Sequence, residues 1–174
     1  MVIKSAGDLM IPLKKYPNIP AWFTLRQAVA KIENSVIDVE GQKSLSRALL
    51  VLDEKNQLLG IVRRRDILRV LKPKFLQDIS LSNQKKLFDI EVDPGLAAIS
   101  FGEDKKIIQE RAEQLVSKAM LPIVATVNYN DQLGKIIFLM ISKDLNLLPV
   151  LRDQKVVGVV RSVDVFHEVA KLLM

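Results

Sequence analysis

The chain repeats itself, and no other feature limits its fold as strongly. LLVLDEKNQLLGIVRRRDILRVL (49–71) lies over LPVLRDQKVVGVVRSVDVFHEVA (148–170). Each copy has an apolar run, a polar turn and a second apolar run carrying a glycine. An arginine follows three positions after the glycine and an aspartate six positions after it, so Gly60, Arg63 and Asp66 match Gly158, Arg161 and Asp164. The second copy is one residue shorter in its turn, where a hairpin tolerates a length change. The likeness continues upstream. DLMIP (8–12) matches KAMLP (118–122), and FTLRQAVAKI (23–32) matches NDQLGKIIFLMI (130–141), with Leu25 over Leu133.

Periodicity predicts the same elements in each copy. In the first, Thr24 caps a helix over 25–34 whose apolar face is Leu25, Ala28, Val29 and Ile32. Strands at 47–53 and 57–63 flank the turn DEKN, and a helix over 64–71 stops at Pro73. In the second copy Asp131 is expected to cap a helix over 132–142. Strands at 147–152 and 155–161 flank the turn DQ, and a last helix spans 162–173. Between the copies, 80–102 has no clean period, and 103–120 reads as one amphipathic helix. The division expected is a first repeat at 1–72, an insert with a connecting helix at 73–114, and a second repeat at 115–174.

Composition excludes several functions. With no cysteine and a single histidine, His167, the chain holds no disulfide, no catalytic thiol, and no cysteine or multi-histidine metal centre. No uncharged run approaches the ~20 residues of a membrane helix. The first ten residues do not form a signal peptide, so the chain is expected to be soluble and cytoplasmic. A net charge of +6 favours an anionic partner, nucleotide or nucleic acid. The arginine-rich stretch carries no interleaved aromatic, which argues against a nucleic-acid platform. No phosphate-loop, nucleophile or paired-carboxylate motif is present, so no enzymatic activity is expected. His167 beside Glu168 reads as a surface pair.

The doubled helix–strand–strand–helix pattern, with LPVLRDQKVVGVVRSVDV as its clearest copy, resembles the tandem CBS-domain proteins. These carry the regulatory module also found in cystathionine β-synthase. The resemblance implies an α/β (α+β) fold in which two repeats pack about a pseudo-twofold axis, each a small sheet flanked by helices. It also implies a homodimer, an unidentified regulated protein, and a stand-alone sensor taking an adenosine-containing nucleotide such as AMP, ADP or ATP between the repeats. No cofactor is required. The alternatives are a ligand-free dimerisation module and, third, a basic nucleic-acid-binding protein.

The resemblance also nominates residues. Asp66 and Asp164 match the family's ribose-binding aspartates; from the residues alone, each is equally an acidic first-turn residue favoured by the helix dipole. Arg63 and Arg161 stand where the family places threonine or serine. Arginine cannot accept a hydrogen bond and so cannot cap, but its planar fork suits phosphate. Ser162 is the substitute hydroxyl in the second copy, whereas Arg64 follows Arg63 in the first; Arg64 and Arg65 read as exposed. The adenine slot is assigned to Ala48, Leu49 and Leu50, with Leu147, Leu148 and Pro149, closed by Ile11 and Leu121. Leu50 replaces the family's proline.

Overall fold

The structure, a computed structural model, describes residues 4–72 and 101–174. The aperiodic stretch from 80 to 100 lies outside the described residues. The first half contains α1 (Ala6–Leu9), β1 (Ile11–Pro12), β2 (Asn18–Pro20), α2 (Leu25–Glu33), β3 (Val36–Val39), β4 (Gln42–Leu45), β5 (Ala48–Leu52), β6 (Leu58–Arg63) and α3 (Arg64–Leu71). The second contains α4 (Phe101–Ala112), a 3-10 turn (Val116–Lys118), β7 (Leu121–Pro122), β8 (Val127–Asn128), α5 (Leu133–Ser142), β9 (Leu147–Arg152), β10 (Lys155–Arg161) and α6 (Ser162–Leu173). Small mixed sheets flanked by helices result, as expected.

Local chemistry explains the elements. Thr24 Oγ1 accepts the Gln27 N–H at 3.3 Å while Gln27 Oε1 accepts the Thr24 N–H at 2.8 Å, closing a capping box on α2. Leu25, Ala28 and Ile32 are buried on one face; Val29 is exposed. In the β9–β10 turn Asp153 and Gln154 both have positive φ (51° and 62°), as a tight hairpin turn requires. Asp131 does not cap α5. Gln132 holds that position, and the Asp131 carboxylate instead accepts the Asn128 N–H and pairs with Lys135, both at 2.8 Å.

The lead-in strands cross over. β1 precedes the first repeat but pairs with β10, Ile11 opposite Val159 and Pro12 opposite Gly158. β7 precedes the second repeat but pairs with β6, Leu121 opposite Ile61 and Pro122 opposite Gly60. The two four-stranded sheets are therefore β1-β10-β9-β8 and β2-β5-β6-β7. This crossing explains the glycine in each copy. A Cβ on Gly158 would sit 2.6 Å from the Ile11 carbonyl oxygen and 2.8 Å from Met10 Sδ. A Cβ on Gly60 would meet the Leu121 carbonyl oxygen and the Met120 side chain, each at 2.5 Å. Only glycine lets the other repeat's backbone approach this closely.

The core divides in the same way. Ala6 and Leu9 of α1 pack with Val127, Ile136, Leu148 and Val165 of the second repeat. Val116 and Ala119 pack with Ile19, Leu25, Leu49 and Val62 of the first. A third cluster, Ile11, Tyr16, Ile37, Leu50, Leu52, Leu147 and Val159, joins the two repeats.

Two elements differ from expectation. The helix expected over 103–120 stops at Ala112. There the backbone turns to bond the first repeat: the Val116 N–H donates to the Phe23 carbonyl and the Leu25 N–H to the Gln114 carbonyl, both at 2.8 Å. Arg111 then reaches the carbonyls of Val70 and Lys72 at the end of α3. The second difference is the β3–β4 hairpin, an addition to the first repeat without a counterpart in the 143–146 connector of the second.

Candidate functional site

Each repeat ends its second hairpin strand on an arginine and starts a helix there, so the aspartate falls in the helix's first turn. In the first repeat Asp66 accepts the Arg63 backbone N–H at 3.2 Å, the half of a capping box that a helix's third residue provides, while Arg63 has no side-chain oxygen to return the other half. The Arg63 guanidinium closes on the same carboxylate as a fork, Nε at 2.8 Å and Nη2 at 3.0 Å, and Arg69 adds a contact at 3.2 Å. Asp66 is 1% exposed. Burial alone would raise its carboxyl pKa, but the bonds and charges of Arg63 and Arg69 outweigh burial and hold it below the usual carboxylate range.

The second repeat repeats the fork. Arg161 Nε and Nη2 meet the Asp164 carboxylate at 2.6 and 2.7 Å. Arg161 Nη1 then donates to Ser44 Oγ, from the first repeat's hairpin, at 2.9 Å. Arg161 and Asp164 therefore sit between the repeats. The Ser162 N–H donates to the Asn146 carbonyl at 2.9 Å, with its hydroxyl 3.4 Å from Asn146 Oδ1. The Arg64 N–H makes the matching bond to the Arg47 carbonyl. Arg65 is exposed, whereas Arg64 is half-buried with its Nε lacking a partner among the described residues.

The apolar candidates separate by strand alternation. Leu50, Leu147 and Ile11 converge on the cluster between the repeats. Leu49 and Leu148 point the other way, into the core of their own repeats. Ala48 lies opposite Arg63, Leu147 opposite Arg161, and Pro149, buried, opposite Val159. Leu121 is half-buried beside Ile61.

Pattern reading missed Tyr16, Ser44 and Ser46. Tyr16 is buried in the cluster between the repeats with Leu147, the strand partner of Arg161, and burial pushes its phenol pKa up, against Ser46 and the Arg161 charge. The signal for Ser44 was present in VIDVEGQKSL (36–45), which alternates around a Glu-Gly turn with φ of 52° and 83°. His167 is exposed and Glu168 is buried, bonded to Lys4 at 3.3 Å and Lys171 at 3.7 Å, so the two do not form the expected surface pair. A concavity of about 250 Å³ at the β8 edge of the β1-β10-β9-β8 sheet is lined by Asn128, Tyr129, Asn130, Leu151, Arg152 and Asp153, and so by neither site aspartate. Among the described residues no group of three or more acidic or histidine side chains is placed to hold a metal. No described helix is long and apolar enough to cross a membrane.

Comparison with known proteins gives a consistent result. The sequence profile of the CBS domain matches residues 17–73 and 116–171. No curated protein sequence matches the chain. The fold is similar to that of CBSX2 in complex with AMP, at 17% identity over 98% of each chain with a TM-score of 0.61. It is similar to a CBS domain-containing protein from Kribbella flavida, at 15% identity over 96% of this chain and 98% of that one, TM-score 0.65. It also resembles the cytosolic domain of the Mg2+ channel MgtE in complex with ATP, at 18% identity over 95% of this chain and 49% of that one, TM-score 0.55.

Proposed function

This chain belongs to the CBS-domain family, and from that premise we propose that it is a regulatory module, not an enzyme, whose inter-repeat clefts take an adenine nucleotide. The observation that carries this reading is the forked arginine–aspartate pair at each helix start. A ribose diol offers two donors to a carboxylate, and a phosphate offers paired acceptors to a guanidinium. One nucleotide therefore replaces the bonds that the pair now makes with itself. AMP, ADP and ATP all carry both groups, and the AMP and ATP complexes of CBSX2 and MgtE support the class. The module acts as a homodimer: Phe138 and Ile141 on α5, and Val163 and Phe166 on α6, stand exposed on two helices that touch each other. An apolar surface of this kind on adjoining helices marks an association face.

One observation favours a second reading. Both aspartates are already satisfied by arginines of their own repeat, as they would be in an interaction module that needs no ligand. Calorimetric titration separates the two. AMP, ADP, ATP and S-adenosylmethionine are added to the native chain and to the Asp66→Asn/Asp164→Asn double variant. Heat from a nucleotide that vanishes in the variant supports the sensor. Silence from the native chain with all four ligands leaves the interaction module.

A further inference from the structure

The second cleft carries a piece of chain that the first lacks. The helix-to-strand connector is 143–146 in the second repeat, but in the first it spans 34–47 and contains the β3–β4 hairpin. That hairpin leans on the opposite repeat. Ile37 is buried with Ile11, Tyr16, Leu147 and Val159. Ser44 takes the guanidinium nitrogen of Arg161 that Asp164 leaves over. At the hairpin tip, Glu40 pairs with Lys171 of α6 at 3.5 Å and with Lys4 at 3.7 Å, and both lysines also meet the buried Glu168. The Arg161 side chain is 12% accessible against 39% for Arg63, while the aspartates run the other way, Asp164 at 14% and Asp66 at 1%.

We propose that the β3–β4 hairpin is a built-in cover on the second cleft, competing with an anionic ligand for Arg161. This deepens the nucleotide reading above and rests on it. A phosphate arriving at Arg161 displaces Ser44, and a ribose arriving at Asp164 displaces the arginine fork. Tyr16 and Ile37 pack with Leu147, the strand partner of Arg161, and anchor the hairpin there. The Glu40 pairs are partly exposed and individually weak. The cover is therefore held by several small contacts, a state that ligand binding can reverse. Linkage makes the effect reciprocal: whatever releases the hairpin raises affinity in the second cleft, and ligand in that cleft releases the hairpin. Among the described residues, no group of the second repeat bonds to Arg63 as Ser44 bonds to Arg161.

The test titrates ATP calorimetrically into the native chain, a Glu40→Gln/Ser44→Ala variant, and a variant whose residues 34–47 are replaced by the sequence of the 143–146 connector. Circular dichroism confirms that each is folded. The native chain is expected to take one ATP. The Glu40→Gln/Ser44→Ala variant is expected to take a second ATP at least tenfold more tightly than any second event in the native chain, and Asp164→Ala on that background abolishes it. ATP bound with the same stoichiometry and affinity by all three chains overturns the cover while leaving the nucleotide reading intact. A native chain that already takes two ATP overturns it as well. No ATP heat from any of the three overturns the nucleotide reading, and the cover with it.

Discussion

Gly158→Ala measures the crossing of the lead-in strands directly. The added methyl carbon would lie 2.6 Å from the Ile11 carbonyl oxygen and 2.8 Å from Met10 Sδ. The sulfur ends a flexible side chain and can swing away. The carbonyl is backbone, held where β1 pairs with β10, and it can retreat only if β1 moves. Forcing one methyl into a packed site costs about 1–3 kcal/mol. The other way out is for β1 to leave the sheet. That exposes Ile11, now 5% accessible, at about 1.5–3 kcal/mol, and breaks strand hydrogen bonds of about 1 kcal/mol each. The cheaper route sets the outcome, so the loss is about 1–3 kcal/mol and the melting temperature falls by roughly 2–12 °C for a chain of this size. Thermal and urea unfolding followed by circular dichroism measure it. Gly134→Ala is the control: it lies in α5 with nothing within 4 Å of an added Cβ, so it is expected to stabilise by up to about 1 kcal/mol through helix propensity. A Gly158→Ala protein melting within one degree of native, beside a Gly134→Ala protein that melts higher, would refute the close approach of β1 to β10.

Two further outcomes follow from the site and the surface. Asp66→Asn is expected to cost about 2 kcal/mol at pH 7, less than the 3–5 kcal/mol of a fully buried pair because Arg63 and Arg69 are partly exposed. The folded Asp66 carboxyl lies below its unfolded value, so its stabilisation is complete above about pH 4 and is lost as pH falls through the folded value. Urea midpoints of native and variant should therefore converge in acid; a gap that stays constant from pH 7 to pH 2 would count against the ion pair. Phe166→Glu with Ile141→Lys places charge on the exposed α5–α6 face and is expected to yield a monomer by sedimentation while leaving the melting temperature within a few degrees. An unchanged sedimentation mass would remove this face as the dimer contact.

The repeat and its elements were legible in the sequence because they rest on local chemistry. Thr24 with Gln27 closes a capping box within one helical turn, and Asp153 with Gln154 adopts positive φ within one hairpin. The strand limits in the second repeat, 147–152 and 155–161, appear where periodicity placed them. The alignment of Met10 with Met120, and of Gly60 with Gly158, was also visible, but not its cause. The α4 end at Ala112 was misread for a related reason. Helical periodicity continues past it, but there the backbone groups of Gln114 and Val116 bond to the first repeat and not within a helix.

Sequence alone determined that two copies of one helix–strand–strand–helix unit exist and that each starts its last helix with an arginine and an aspartate three residues on. Those facts depend on neighbours within a few positions, so local pattern carries them. Tertiary structure decided which sheet each lead-in strand joins, whose backbone each glycine admits, and where the arginines point. Arg161 meets Asp164 across three residues of sequence but Ser44 across 117. Only the packing of the two repeats brings the second partner to it, because a contact between distant segments is set by how apolar faces are buried together, and no local pattern encodes that.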